Sequence, residues 1–222
     1  STAEDAMRVV QPLGHRGSLK WLQLAVNRRP DLLEHPAIGP VRWLSPIEGD
    51  GYAEYRDGAF LELVGLGRLK NELAEFWPSR GPQWDALGMA GSKVVLVEAK
   101  AHIGEMLSPP CGAGEASRDR IAATLDGVRS ALGVRRGADW TVTFYQLANR
   151  IAHLHFLRRA GVEAQLLLVG FVGDRDMGGP ASAAEWLAAY QVASYAMGLP
   201  AAHALSPFIH HVYPEVQALA AE

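Results

Sequence analysis

The chain has 222 residues, 49% of them hydrophobic, a mean hydropathy near zero and a formal net charge of −3, the profile of one globular domain with a filled core. No apolar run reaches the roughly 18 residues that span a bilayer, and the opening STAEDAMRVVQPLG lacks the apolar stretch of a signal peptide, so a cytoplasmic protein is expected. The single cysteine, Cys111, excludes an internal disulfide and a cysteine-based zinc cluster, and any nucleic-acid surface must be local because no dense basic run exists.

In chain order, residues 17–34 place Trp21, Leu22 and Ala25 at helical spacing behind a Ser18 cap, with Pro30 ending that helix or starting another. A proline-punctuated connector holds the short extended piece VRWL. From Asp50 a helix is predicted, with Tyr52, Tyr55, Phe60 and Leu63 near one stripe, continuing as GRLKNELAEFW until Pro78 stops it. The runs PQWDALGMA and KVVLVEAKAH read as two strands joined by Gly91-Ser92.

EASRDRIAATLDGVRSALG follows as an amphipathic helix closing on Gly133. The next helix, 141–161, is predicted to bury Phe144, Leu147, Ile151 and Leu154 and to present Gln146, Asn149 or Arg150, and His153 on the opposite side. AQLLLVGFVG is a buried strand, SAAEWLAAYQVASYAMGLP a capped helix and FIHHVYPEV a final strand. The order predicts a single mixed α/β domain: an N-terminal helical extension over 1–49, a core over 50–172, and a C-terminal helix and strand over 173–222.

The two central strands carry the chemistry. A Gly-Ser link suits a type II′ turn, since glycine takes the positive φ at its first central position. Ala90 then pairs with Lys93, and stepping outward brings Asp85 opposite Glu98, with Lys100 on the same sheet face. Two carboxylates at that separation repel. A divalent cation would compensate, because Mg²⁺ or Mn²⁺ prefers hard oxygen ligands and keeps waters in its shell. It could lower the pKa of a bound water and steady charge on a phosphoryl oxygen while Lys100 orients or deprotonates the attacking water. Lysine is a scarce choice here, with four against 17 arginines. The bland alternative is an ordinary ion pair of Glu98 and Lys100 at a strand end, with Asp85 in a turn.

Pro82 and Asp85 in GPQWDALG, the triplet Glu98-Ala99-Lys100 and Gln146 in FYQLANR together resemble the PD-(D/E)xK, or restriction-endonuclease-like, nuclease superfamily. The resemblance spans roughly 50–172 and implies an αβββαβ core: a central mixed sheet flanked by helices, its first strand sought in AEFWP. The proline stands three positions before the aspartate rather than one. It further implies Asp85, Glu98 and Ala99 as metal ligands, Lys100 beside the water, a helical glutamate and a glutamine from the following helix. Glu54 is the glutamate chosen, on the helix aligned with the family's first, with Glu72 and Glu75 as rivals. Gln146 is the glutamine.

Other signals fail. There is no phosphate-binding P-loop, no H-E-x-x-H and no G-x-S-x-G. His153 and His155 point to different helix faces, and His210 and His211 to opposite strand faces. The expectation is a Mg²⁺- or Mn²⁺-dependent phosphodiester hydrolase acting on nucleic acid, with DNA and RNA both open. The alternative is a nuclease-fold module that no longer cuts and serves in binding. Arg118, Arg120, Arg150, Arg158 and Arg159 could meet phosphates or simply solubilise the surface.

Overall fold

The computed structural model describes residues 7–220. The chain forms a mixed α/β structure around a five-stranded mixed sheet flanked by helices. In spatial order the strands are β2 (Arg42–Ser45), β4 (Ala86–Ala90), β5 (Lys93–Lys100), β6 (Ala164–Gly170) and β7 (Ile209–Val212). A two-stranded ribbon of β1 (Arg8–Val9) and β3 (Glu54–Tyr55) stands apart.

β5 is central because its middle, Val94-Val95-Leu96-Val97, is apolar and mostly β-branched, which suits a strand covered on both faces, while its charged residues fall at the ends. Alternation sends Val94 and Leu96 into one hydrophobic cluster and Val95, Val97 and Ala99 into the other. The first cluster is closed by α4 (Glu115–Ala131), α5 (Tyr145–Arg159) and α6 (Ala183–Met197), through Leu125, Ile151, Leu154 and Trp186. The second is closed by α1 (Gly17–Arg28) and α7 (Val216–Ala220), through Trp21, Leu22, Val26 and Leu219.

β2–β4–β5 is an antiparallel meander, while β5–β6 and β6–β7 are parallel and are connected through helices, as parallel crossovers require. Among the described residues no helix is long and apolar enough to cross a membrane.

Several expectations change. The stretch from Asp50 is not one helix but a 3₁₀ turn, β3, then the short helices α2 (Asp57–Leu63) and α3 (Lys70–Phe76). Glu54 therefore lies on a strand. AEFWP is no strand either, since α3 runs through Phe76; the strand that precedes the hairpin is VRWL, as β2. Its pairing to Gly88 and Met89 supplies backbone bonds that the isolated tetrapeptide could not predict. The central sheet consequently takes both edge strands, β2 and β7, from outside residues 50–172.

Candidate functional site

The hairpin pairs as the Gly-Ser turn predicts, from Ala90↔Lys93 to Ala86↔Val97, with Gly91 at φ +60°. Asp85 is the residue immediately before β4, one step further out and so level with Glu98. Here β4 ends while β5 continues, and the Asp85 carboxylate takes over the vacated backbone partner: the Ala99 N–H donates to Asp85 Oδ2 at 2.8 Å. The next carbonyl, of Lys100, accepts from Phe171 on the β6 side at 2.9 Å. Alternation along an extended strand therefore turns both the N–H and the C=O of Ala99 toward Asp85.

Glu98 is 2% exposed and has both oxygens engaged. Lys100 Nζ donates to Oε1, and Arg150 Nε donates to Oε2 at 2.5 Å. Lys100 also donates to Gln146 Oε1 at 2.7 Å, which fixes the ammonium between strand and helix. Arg150 reaches further, donating to the Gln83 carbonyl at 2.9 Å and to Asn149 Oδ1 at 2.8 Å, with its guanidinium 5.1 Å from the Trp84 ring centre.

Glu54, buried on β3, accepts from Gln83 Nε2 at 2.5 Å and Gln11 Nε2 at 2.9 Å. The side chain of Gln83 thus holds Glu54 while its carbonyl holds Arg150. The sequence reading does not single out Gln11 or Gln83, and it offers Arg150 only as a possible phosphate contact, not as the partner of Glu98. The available signal was the proximity of Gln83 to Asp85 and of Arg150 to Gln146 on the next helical turn. Glu72 and Glu75 lie exposed on α3 and do not line the site.

α5 also departs from its predicted two-sidedness. Asn149, Arg150 and His153 are buried, because the polar side of α5 packs against residues 76–84 instead of water. His153 sits among Phe76, Trp77 and Trp84, its Nδ1 2.8 Å from the Asn149 carbonyl, and burial pulls its pKa down to about 3. Phe144 and Leu147 are only partly buried, since the helix starts at Tyr145 after Phe144 at φ +52°.

The carboxylates titrate in opposite senses. Burial raises the Glu98 pKa, but Arg150 and Lys100 together outweigh it and hold the group below the usual range. Burial, and then the charges of Glu98 and Glu54, push Asp85 well above that range despite opposition from Lys100 and Arg150. Glu54 is also raised, chiefly by burial, against its two glutamine donors. Three carboxylates face two cations, leaving negative charge uncompensated around Asp85.

Glu54, Asp85, Ala99, Lys100 and Gln146 line one open cleft of about 680 Å³, with Arg150, Gln83, Tyr145 and Ser18 on its walls. Glu98 lies behind Lys100 and Arg150, outside that lining. The chain matches no family model, and no curated protein or solved structure is significantly similar to it. The site must be read from its own chemistry.

Among the described residues no group of three or more His, Cys, Asp or Glu side chains is gathered to hold a metal ion. A small hard cation that keeps several waters needs less: one or two carboxylates and a carbonyl suffice. Asp85 and the Ala99 carbonyl form such a set, with Glu98 adjoining, and the surplus negative charge around Asp85 suits a cation there.

Proposed function

We propose that the protein is a metal-dependent phosphodiester hydrolase of nuclease type, related in its αβββαβ core to the restriction-endonuclease-like nucleases. One observation carries the reading: Glu54, Asp85, Ala99, Lys100 and Gln146, drawn from four separate segments, line one cleft with Glu98 directly behind. The succession α1, β2, β4, β5, then α4 and α5, then β6 supports the core assignment, with β3, α2 and α3 as insertions.

In this reading Asp85, Glu98 and the Ala99 carbonyl hold Mg²⁺ or Mn²⁺. The cation, when bound, polarises the phosphoryl oxygen and makes water more acidic. Lys100, held between Glu98 and Gln146, presents its ammonium to the cleft and orients the attacking water or the phosphate. Arg150 keeps Glu98 ionised and in place, and Glu54 adds negative charge beside Asp85. The substrate is nucleic acid.

The test is cleavage of single- and double-stranded DNA and RNA in Mg²⁺ or Mn²⁺. The wild type should cut at least one, and Lys100→Ala should lose roughly 100-fold or more in rate, the scale of removing one positioned donor that steadies developing charge. Equal cleavage by both, or none by the wild type, refutes the assignment.

A second reading, a module that binds without cutting, is favoured by one specific feature: Lys100 and Arg150 already occupy both oxygens of Glu98. Calorimetric titration with Mn²⁺ separates the two. A hydrolase should bind the ion and lose that binding in Asp85→Asn, whereas a module without a metal role should bind none at this site.

A further inference from the structure

A second cavity, of about 390 Å³, opens beside the cleft and is lined by Arg56, Asp57, Lys70, Leu73, Trp77 and Arg80, among others. Two neighbouring segments connect them. Glu54 lines the cleft, and two residues on, still extended at φ −143°, Arg56 lines the cavity. Gln83 lines the cleft, and three residues back Arg80 lines the cavity. The Trp84 N–H donates to the Tyr55 carbonyl at 3.0 Å, so the segments run side by side. Two residues of extended chain span about 7 Å.

The local backbone is built at a cost. Asp57 and Arg80 adopt φ of +50° and +66°, a left-handed region that costs a residue other than glycine about 1–2 kcal/mol. The Asp57 carboxylate holds the loop there, accepting from the N–H groups of Arg80 and Gly81 at 2.9 Å each. Gly81 leaves room for this carboxylate, since an added Cβ would stand 2.9 Å from Asp57 Oδ1 and would have to displace it. The loop that carries Arg80 is thereby fixed before any ligand arrives.

The lining combines the cations Arg56, Arg80 and Lys70, the last paired with Glu62 at 2.6 Å, with the edges of the largely buried Leu73 and Trp77. Charge for the phosphate and an apolar wall for the base are the two parts that bind single-stranded nucleic acid. We propose that this cavity is a subsite for one nucleotide of a single strand flanking the scissile bond, its phosphate on Arg80 and Arg56 and its base against the edges of Leu73 and Trp77. The assignment rests on the nuclease reading for its choice of ligand, but its test does not require cleavage.

The test measures binding of a fluorescein-labelled single strand of about twelve nucleotides, in DNA and in RNA form, with EDTA present to prevent hydrolysis. Arg80→Gln should weaken binding roughly three- to tenfold and lower the slope of log K against log salt by about 0.7, the share of one phosphate contact on a single strand. Ala74→Trp, at an exposed α3 position lining the cavity, should weaken it comparably by filling the space without changing charge. Arg135→Gln removes the same charge at an exposed position outside the cavity and should bind like the wild type. If either cavity variant binds as tightly as Arg135→Gln, or the wild type binds neither strand, the subsite is refuted. Arg80-dependent binding by a wild type that cleaves nothing would leave the subsite standing and remove only the catalytic reading.

Discussion

Asp85 and Glu98 stand level across the end of one hairpin, and their surroundings treat them differently: Glu98 is gripped by Lys100 and Arg150, while Asp85 holds the Ala99 N–H. Because burial and the Glu98 charge raise the Asp85 pKa, its contribution to stability is fully present below the unfolded value of about 3.9 and is lost as pH rises through the higher native value. The stability that a neutral Asp85 contributes at low pH is therefore diminished in the metal-free protein as pH rises. Asp85→Asn keeps an oxygen for the Ala99 N–H and removes the carboxylate charge. It should stabilise the metal-free protein at pH 7–8 by on the order of 1 kcal/mol, a gain that shrinks as pH falls toward 4. Urea unfolding in EDTA across that range checks it, and a destabilised or pH-independent variant contradicts it. The E-x-K triplet and the facing aspartate were legible because a two-residue turn dictates register. The pairing of Arg150 with Glu98 was not legible, since a helical pattern cannot say whether a long cation meets water or phosphate or reaches a carboxylate on another element.

At the scale of elements, apolar periodicity identified the strands that carry the site and the helices α4, α5 and α6. It misassigned Glu54, because Tyr52, Tyr55 and Phe60 mimic a helical stripe while the real burial comes from pairing β3 with β1 and packing Tyr55 beside Trp84. The polar residues of α5 looked wet for a related reason: their partners, Gln83 and the ring cage of Phe76, Trp77 and Trp84, lie about 70 residues away in sequence. Strand ends impose tighter demands than periodicity conveys. Gly170, paired with Lys100, has the Trp186 ring so close that an added Cβ would stand 2.8 Å from it. Trp186 is fully buried, and its Nε1–H donates to the Phe171 carbonyl at 2.9 Å, so it has little room to move. Gly170→Ala should therefore cost about 1–3 kcal/mol, the usual penalty of overpacking a filled core. A chemical denaturation midpoint unchanged from the wild type would show that α6 shifts freely.

At the scale of the whole molecule, the site and the fold do not share boundaries. Residues 50–172 contain every proposed site residue, yet the sheet face formed by Val95, Val97, Leu167, Val169 and Phe171 is covered from outside that range. Trp21, Leu22, Ala25 and Val26 of α1 pack on it from the N-terminal side, and Val216 and Leu219 of α7 from the other. Burying each large apolar side chain is worth about 1.5–3 kcal/mol, so uncovering those five forfeits on the order of 10 kcal/mol, comparable with the entire stability of a typical domain. The fragment would also lose β2 and β7, leaving β4 and β6 as long apolar edges open to pairing with other chains. Expressed alone, residues 50–172 should aggregate or unfold without a cooperative transition, while the full chain melts in a single step followed by circular dichroism. A fragment that unfolds cooperatively and stays monomeric would instead mean that α1, α6 and α7 are accessories, and that one covered face is enough to hold the cleft together.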